Sequence, residues 1–132
     1  MTTRAKGTFE VAAFDEETTE EFDGGMKLTR ARIVQTMTGD LQGEMTNHYL
    51  MHYRDDGTAC FVGFQRFEGR IGDRSGSFVQ QSSGGYDGRQ AKTTSFVVSG
   101  SGNGGLHRIS GAGTSAAPHG STGTYTFDYD LS

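Results

Sequence analysis

A chain of 132 residues is the size of one domain and long enough to bury one core. Its hydrophobic share is 33%, its formal net charge is −4, and Cys60 is its one cysteine. This balance excludes an intrachain disulfide, gives no basic footprint for nucleic acid or an anionic membrane, and contains no apolar run that would cross a bilayer as a helix.

Glycine fills 21 positions, more than twice its usual share of ~7%. Together with nine Phe, five Tyr and one Pro, it predicts β-strands joined by tight turns. No apolar i, i+3, i+4 stripe is sustained, so no long helix is expected. The opening residues Met1-Thr2-Thr3-Arg4 have no apolar stretch behind them and do not read as a signal peptide, which makes the cytoplasm the expected compartment.

The first predicted strand covers residues 6–14. Behind it, residues 15–23 hold six of the 16 acidic side chains and read as a solvated acidic loop, with a cation-binding loop as the alternative. Strands follow over residues 28–39, 44–53, 58–69, 76–86, 89–98, 106–115 and 123–131. Three hairpin signals, Asp55-Asp56-Gly57, Gly72-Asp73 and Asp87-Gly88, pair neighbouring strands antiparallel. An up-and-down meander of this length hides its edges by closing on itself. Residues 1–132 are therefore predicted to form a single domain, an all-β closed eight-stranded antiparallel barrel, with an open β-sandwich as the alternative.

Asp55-Asp56-Gly57 suits a three-residue hairpin, a type I turn followed by a left-handed glycine. That turn pairs Tyr53 with Ala59, Met51 with Phe61, Tyr49 with Gly63, Asn47 with Gln65 and Met45 with Phe67, all on one mostly apolar face. It turns His48, His52, Cys60, Arg66 and Glu68 outward, and a one-residue slip would mix the two faces. The Gly72-Asp73 turn sets Gln65 beside Gln80, Gly63 beside Ser82 and Phe67 beside Phe78. A two-residue turn at Asp87-Gly88 then sets Gln80 beside Ser95 and Ser82 beside Thr93. A row of neutral polar groups, Asn47, Gln65, Gln80 and Ser95, thus crosses an interior of Phe, Tyr and Met. Outside, Leu50, Val62, Phe64 and Val79 cluster, which predicts a homo-oligomer, a dimer first and a trimer second.

Residues Gly100 to Gly105 match G-x-G-x-x-G in form, but no helix follows to hold a pyrophosphate, and the stretch reads as a turn. His48 and His52 are four apart, which on a strand is ~13 Å and too far to share a metal. His107 and His119 fall in turn-rich segments, no G-x-S-x-G elbow occurs, and Cys60 has no interior histidine beside it. No metal site and no cofactor are expected. Glu10, in the first strand, is the candidate catalytic acid or base.

Several segments carry a family resemblance: Gly7-Thr8-Phe9-Glu10-Val11, Lys27-Leu28-Thr29-Arg30-Ala31, Phe61-Val62-Gly63-Phe64-Gln65-Arg66-Phe67, Arg74-Ser75-Gly76-Ser77-Phe78-Val79 and Gly123-Thr124-Tyr125-Thr126. Over essentially the whole chain they resemble an uncharacterised bacterial family, domain of unknown function 3224. The stretch from Gly102 to Gly113 is similar to a hairpin of the allene oxide cyclase and dirigent barrels. The resemblance implies an eight-stranded barrel and no particular reaction. It also implies glutamate and histidine where this chain has Gln65 and Ser82, tryptophan at Phe96 and proline at Ser99; if the first two do acid–base work in relatives, this chain has lost it.

The functional expectation is a small-molecule-binding barrel for a hydrophobic or aromatic ligand, with no nucleic acid and no membrane as partner. Its expected ligand-binding residues are Asn47, Tyr49, Tyr53, Phe61, Gln65, Phe67, Phe78, Gln80, Ser82 and Ser95. The alternatives are an isomerase or cyclase that works by confining its substrate, and a structural or interaction role without ligand. On the binding reading, Gln65→Leu is expected to weaken a polar ligand by ~0.5–1.5 kcal/mol and leave the fold intact.

Overall fold

The computed structural model describes residues 2–118 and 122–131, so His119 lies outside the described residues. Among them are nine strands: β1 (Thr3–Glu21), β2 (Lys27–Gly39), β3 (Leu41–Tyr53), β4 (Ala59–Ile71), β5 (Arg74–Tyr86), β6 (Ala91–Val97), β7 (Asn103–Gly104), β8 (Ser110–Ala117) and β9 (Thr122–Asp130). Eight of them pair antiparallel in a ring, β1-β2-β3-β4-β5-β6-β8-β9 and back to β1, while the two-residue β7 adds a rung to the start of β5. The closed barrel stands and the open sandwich does not. No helix among the described residues is long and apolar enough to cross a membrane.

The β3–β4 register is the predicted one throughout, from Tyr53 opposite Ala59 to Met45 opposite Phe67, and Gln65 faces Gln80 across β4–β5. Alternation then does the rest: Tyr49, Phe61 and Phe67 are buried, and His48, Cys60 and Arg66 are exposed. The β5–β6 turn differs. Asp87 Oδ1 accepts the Arg89 and Gln90 N–H groups, each at 2.9 Å, and four residues span the turn instead of two. Tyr86 therefore pairs with Ala91, Ser82 with Ser95, Gly84 with Thr93 and Gln80 with Val97. An even shift keeps every side chain on its expected face.

The acidic stretch is strand, not loop. β1 continues to Glu21, paired with β2 as far as Lys27, and a 3₁₀ turn at Asp23–Gly25 reverses the chain through Gly24 (φ 83°) and Gly25 (φ 88°). Glu17 meets Arg30 across the pair at 3.1 Å. β9 accompanies β1 only from Thr3 to Glu10. Beyond Glu10 the outer edge of β1 has no strand partner among the described residues, and its carboxylates oppose edge-to-edge pairing with another acidic edge.

The predicted strand over residues 106–115 starts late, at Ser110. Before it the chain makes a tight turn, Leu106 N–H to Asn103 O at 3.2 Å and Ile109 N–H to Leu106 O at 3.1 Å, tied to β5 by Gly105 N–H on Ser75 O at 2.7 Å. The turn swings Leu106 and Ile109 under the barrel, where Leu106 is 0% exposed and closes the lower end. Above it pack Phe67, Phe78 and Phe127, with ring centroids 5.3 and 5.6 Å apart in turn. The Tyr125 hydroxyl locks the β2–β3 turn, donating to Thr38 O at 2.8 Å and accepting from Leu41 N–H at 2.9 Å.

Interior aromatics sit opposite glycines on the neighbouring strand: Tyr49 opposite Gly63, Phe61 opposite Gly84, Phe9 opposite Gly123 and Tyr125 opposite Gly7. A Cβ at Gly84 would fall 2.7 Å from Phe61 Cζ, and one at Gly123 2.5 Å from Phe9 Cζ. At Gly63 it would meet the His48 carbonyl oxygen at 1.9 Å and Tyr49 Cδ1 at 2.9 Å. Gly63→Ala is expected to lower stability by ~1–3 kcal/mol, the usual cost of overpacking. The check is a lower urea midpoint at unchanged m-value, with the exposed Gln81→Ala within ~0.5 kcal/mol of the parent as control.

Candidate functional site

A polar layer crosses the barrel at mid-height. Gln65, on β4, donates from Nε2 to Asn47 Oδ1 at 2.7 Å and to the Tyr49 hydroxyl at 3.1 Å. Its Oε1 accepts from Gln80 Nε2 at 3.0 Å and from Ser95 Oγ at 2.7 Å. Asn47 also accepts from the Tyr49 hydroxyl at 3.0 Å and donates to Ile33 O at 3.0 Å. Ser82 Oγ lies 3.2 Å from the Tyr49 hydroxyl and 3.3 Å from Ser95 Oγ. An amide offers two donors and two acceptor positions, and Gln65 uses all four within the protein. Gln65 and Ser82, the positions where the resemblance implies glutamate and histidine, are thus joined through Tyr49 and Ser95.

Above this layer the barrel opens into a pocket of ≈ 280 Å³. Tyr49 and Phe61 form one wall, their ring centroids 4.7 Å apart. Ile33 and Met51 pack against them, Phe9, Val11 and Phe14 line the pocket from β1, Tyr53 and Tyr86 stand towards the mouth, and Gln35, Gln65 and Thr93 supply neutral polar atoms. Among the described residues, no charged side chain lines it. Below the layer a void of only ≈ 40 Å³ remains, bounded by Met37, Met45, Gln80, Ser95 and Phe127 together with Gln35 and Gln65.

Of the ten side chains expected to bind a ligand, Tyr49, Tyr53, Phe61 and Gln65 line the pocket. Gln80 and Ser95 border the lower void, while Asn47 and Ser82 are buried within the polar layer. Phe67 and Phe78 belong to the closed lower core, away from the pocket. Glu10 is exposed on the outer face, since its neighbour Phe9 points in. The β1 and β2 contributors, Phe14, Ile33 and Gln35 among them, were not legible in the sequence. A register shift between Val11 and Ala13 changes which β1 residues face inward, and only the paired strand reveals it.

That shift also brings a carboxylate to the mouth. Glu16 stands opposite buried Ala31, and its Oε2 accepts from Thr29 Oγ1 at 2.6 Å and the Tyr53 hydroxyl at 2.5 Å. Lys27 Nζ lies 5.1 Å from the centre of the Tyr53 ring. Burial, then the hydrogen bond and charge of Glu16, push the Tyr53 phenol far up from its ordinary range. Burial pushes Tyr49 up to about 12, partly offset by hydrogen bonds from Ser82, Gln65 and Thr93.

The family pattern described as a protein of unknown function, DUF3224, matches residues 5–129. The chain belongs to the DUF3224 family. A solved structure of a DUF3224 protein of unknown function from Shewanella oneidensis MR-1 superposes with a TM-score of 0.83 at 25% identity, covering 100% of this chain and 99% of that one. No curated protein matches the chain. The DUF3224 barrel is therefore shared along its full length, and its chemistry must be read from the interior.

Two outcomes test the polar layer. A tyrosine held neutral in the folded state destabilises as pH rises past its unfolded pKa near 10, because the unfolded chain then releases a proton that the folded chain keeps. Stability should fall by ~2–3 kcal/mol between about pH 10 and 12, from the difference between 10 and about 12 at Tyr49. Tyr49→Phe should remove that part of the alkaline loss, read by urea unfolding across the range. Gln65→Leu, expected from sequence to be structurally silent, should instead cost ~1–3 kcal/mol, because it strips donors from buried Asn47 and an acceptor from Gln80 and Ser95.

Proposed function

We propose that this DUF3224 barrel binds a small apolar or aromatic molecule in the upper pocket. The carrying observation is the lining: aromatic and aliphatic walls over a neutral polar floor, with no acid, base or histidine among the described lining residues, and with Tyr49 and Tyr53 held neutral by burial. Its volume is near the lower end of the ~300–1,000 Å³ common for small-molecule sites, which points to a compact ligand. Burial of apolar surface supplies the driving force, at ~25 cal/mol per Å².

The test uses the uncharged fluorophore N-phenyl-1-naphthylamine. Saturable one-to-one enhancement is expected in the parent protein, and Ala91→Phe, which fills the pocket from its wall, should weaken it at least tenfold with the fold retained by circular dichroism. Equal enhancement in the filled variant would place the dye on the surface and remove the proposal. With no group that ionises near neutrality among the described lining residues, affinity should be flat between about pH 6 and 8. A bell-shaped dependence there would count against it.

A second copy of the chain is the proposed partner of the outer sheet face. Leu50 and Val62 are exposed cross-strand neighbours, and Phe64 and Phe96 flank Gln81 on the same side; Val79 is half-buried. Contiguous exposed apolar groups of this kind mark interaction surfaces. A homodimer is expected by light scattering, and Phe64→Glu should return it to a monomer. A monomer in the parent at high concentration overturns this part.

A further inference from the structure

The interior amides differ in one respect that bears on what the pocket recognises. Asn47 and Gln65 spend their hydrogen-bonding capacity on each other, on Tyr49 and on neighbouring backbone and side chains. No buried side-chain nitrogen or oxygen among the described residues is left without a partner. A ligand that engaged Gln65 would have to break a bond already made, for little net gain. The polar row that dominates the interior is therefore a poor handle.

Gln35 is placed otherwise. It sits on β2 between Val11 of β1 and Met45 of β3, apolar neighbours that offer its amide no side-chain partner. Its side chain is half-buried and borders both the 280 Å³ pocket and the 40 Å³ void, and none of the interior hydrogen bonds described above involves it. An amide so placed has donors and an acceptor free to meet a ligand, in a wall of Phe9, Val11 and Ile33. A polar group on the ligand that meets it regains for both partners what each gives up on leaving water.

We infer that Gln35 is the specificity-determining residue of the pocket, and that the ligand is an uncharged, compact apolar or aromatic molecule bearing one neutral hydrogen-bonding group, a carbonyl, hydroxyl or amide, directed at Gln35. This rests on the proposed binding function and adds the ligand's chemical class and orientation. A charged head at that depth would be desolvated with no counter-charge among the described lining residues. The apolar body then points towards Phe14, Tyr53 and Tyr86 at the mouth.

The experiment compares acetophenone with ethylbenzene, two probes of similar shape of which only the first has a carbonyl, by titration followed in ¹H–¹⁵N NMR spectra. The parent protein should prefer acetophenone by about two- to tenfold, the worth of one neutral hydrogen bond, with a shift of the Gln35 side-chain amide signals. Gln35→Met, which keeps length and removes the amide, should abolish the preference for acetophenone. Equal binding of both probes by the parent, or an unchanged preference in Gln35→Met, overturns the assignment and leaves the pocket standing. Binding of neither probe overturns the pocket reading and this inference together.

Discussion

The architecture depends on aromatic rings lying flat over glycines. In a small barrel, side chains that point at the axis fill it, because the interior of eight strands is only just wide enough for them. Here Tyr49 and Phe61 lie against the wall, over Gly63 and Gly84, in space that a methyl group would take. The lumen beside them stays open. Glycine is thus a packing device as well as a turn device: the same arrangement recurs at Phe9 over Gly123 and Tyr125 over Gly7. In the lower half the rings of Phe67, Phe78 and Phe127 meet one another instead, and Leu106 seals what they leave.

The polar layer separates these two halves and is held by its own bonds. Burying amides and hydroxyls is costly unless each is paired. Gln65 meets that condition by joining four strands at one point, reaching from β4 to Asn47 and Tyr49 on β3, Gln80 on β5 and Ser95 on β6. Such a network fixes side-chain orientation above it, so Tyr49 presents a rigid wall to the pocket.

Much of the barrel could be read before any coordinates. The Asp55-Asp56-Gly57 turn and two clean faces determined the β3–β4 register, and β4–β5 followed from Gly72-Asp73. Asp87-Gly88 misled because Asp87 caps two later amides and makes a longer turn, a competition between side chain and backbone that a dipeptide signal does not reveal. Half the site was legible for the same reason that register was: Tyr49, Phe61 and Gln65 lie on the well-specified hairpin. Gln35, Phe14 and Glu16 lie where a bulge and a charged strand broke the alternation on which the reading relied. Charge clustering suggested a solvated loop; the side chains of residues 12–21 are exposed, but pairing with β2 makes the segment strand.

The seal made by Leu106 and Ile109 makes the two ends of the barrel unequal. One end is closed by packed hydrocarbon, and the other is an opening rimmed by side chains outside that packing. Exchanges at Phe14, Ile33 or Tyr86 reshape the opening without touching the plug. The two ends can thus change independently, a fixed base beneath an adjustable rim.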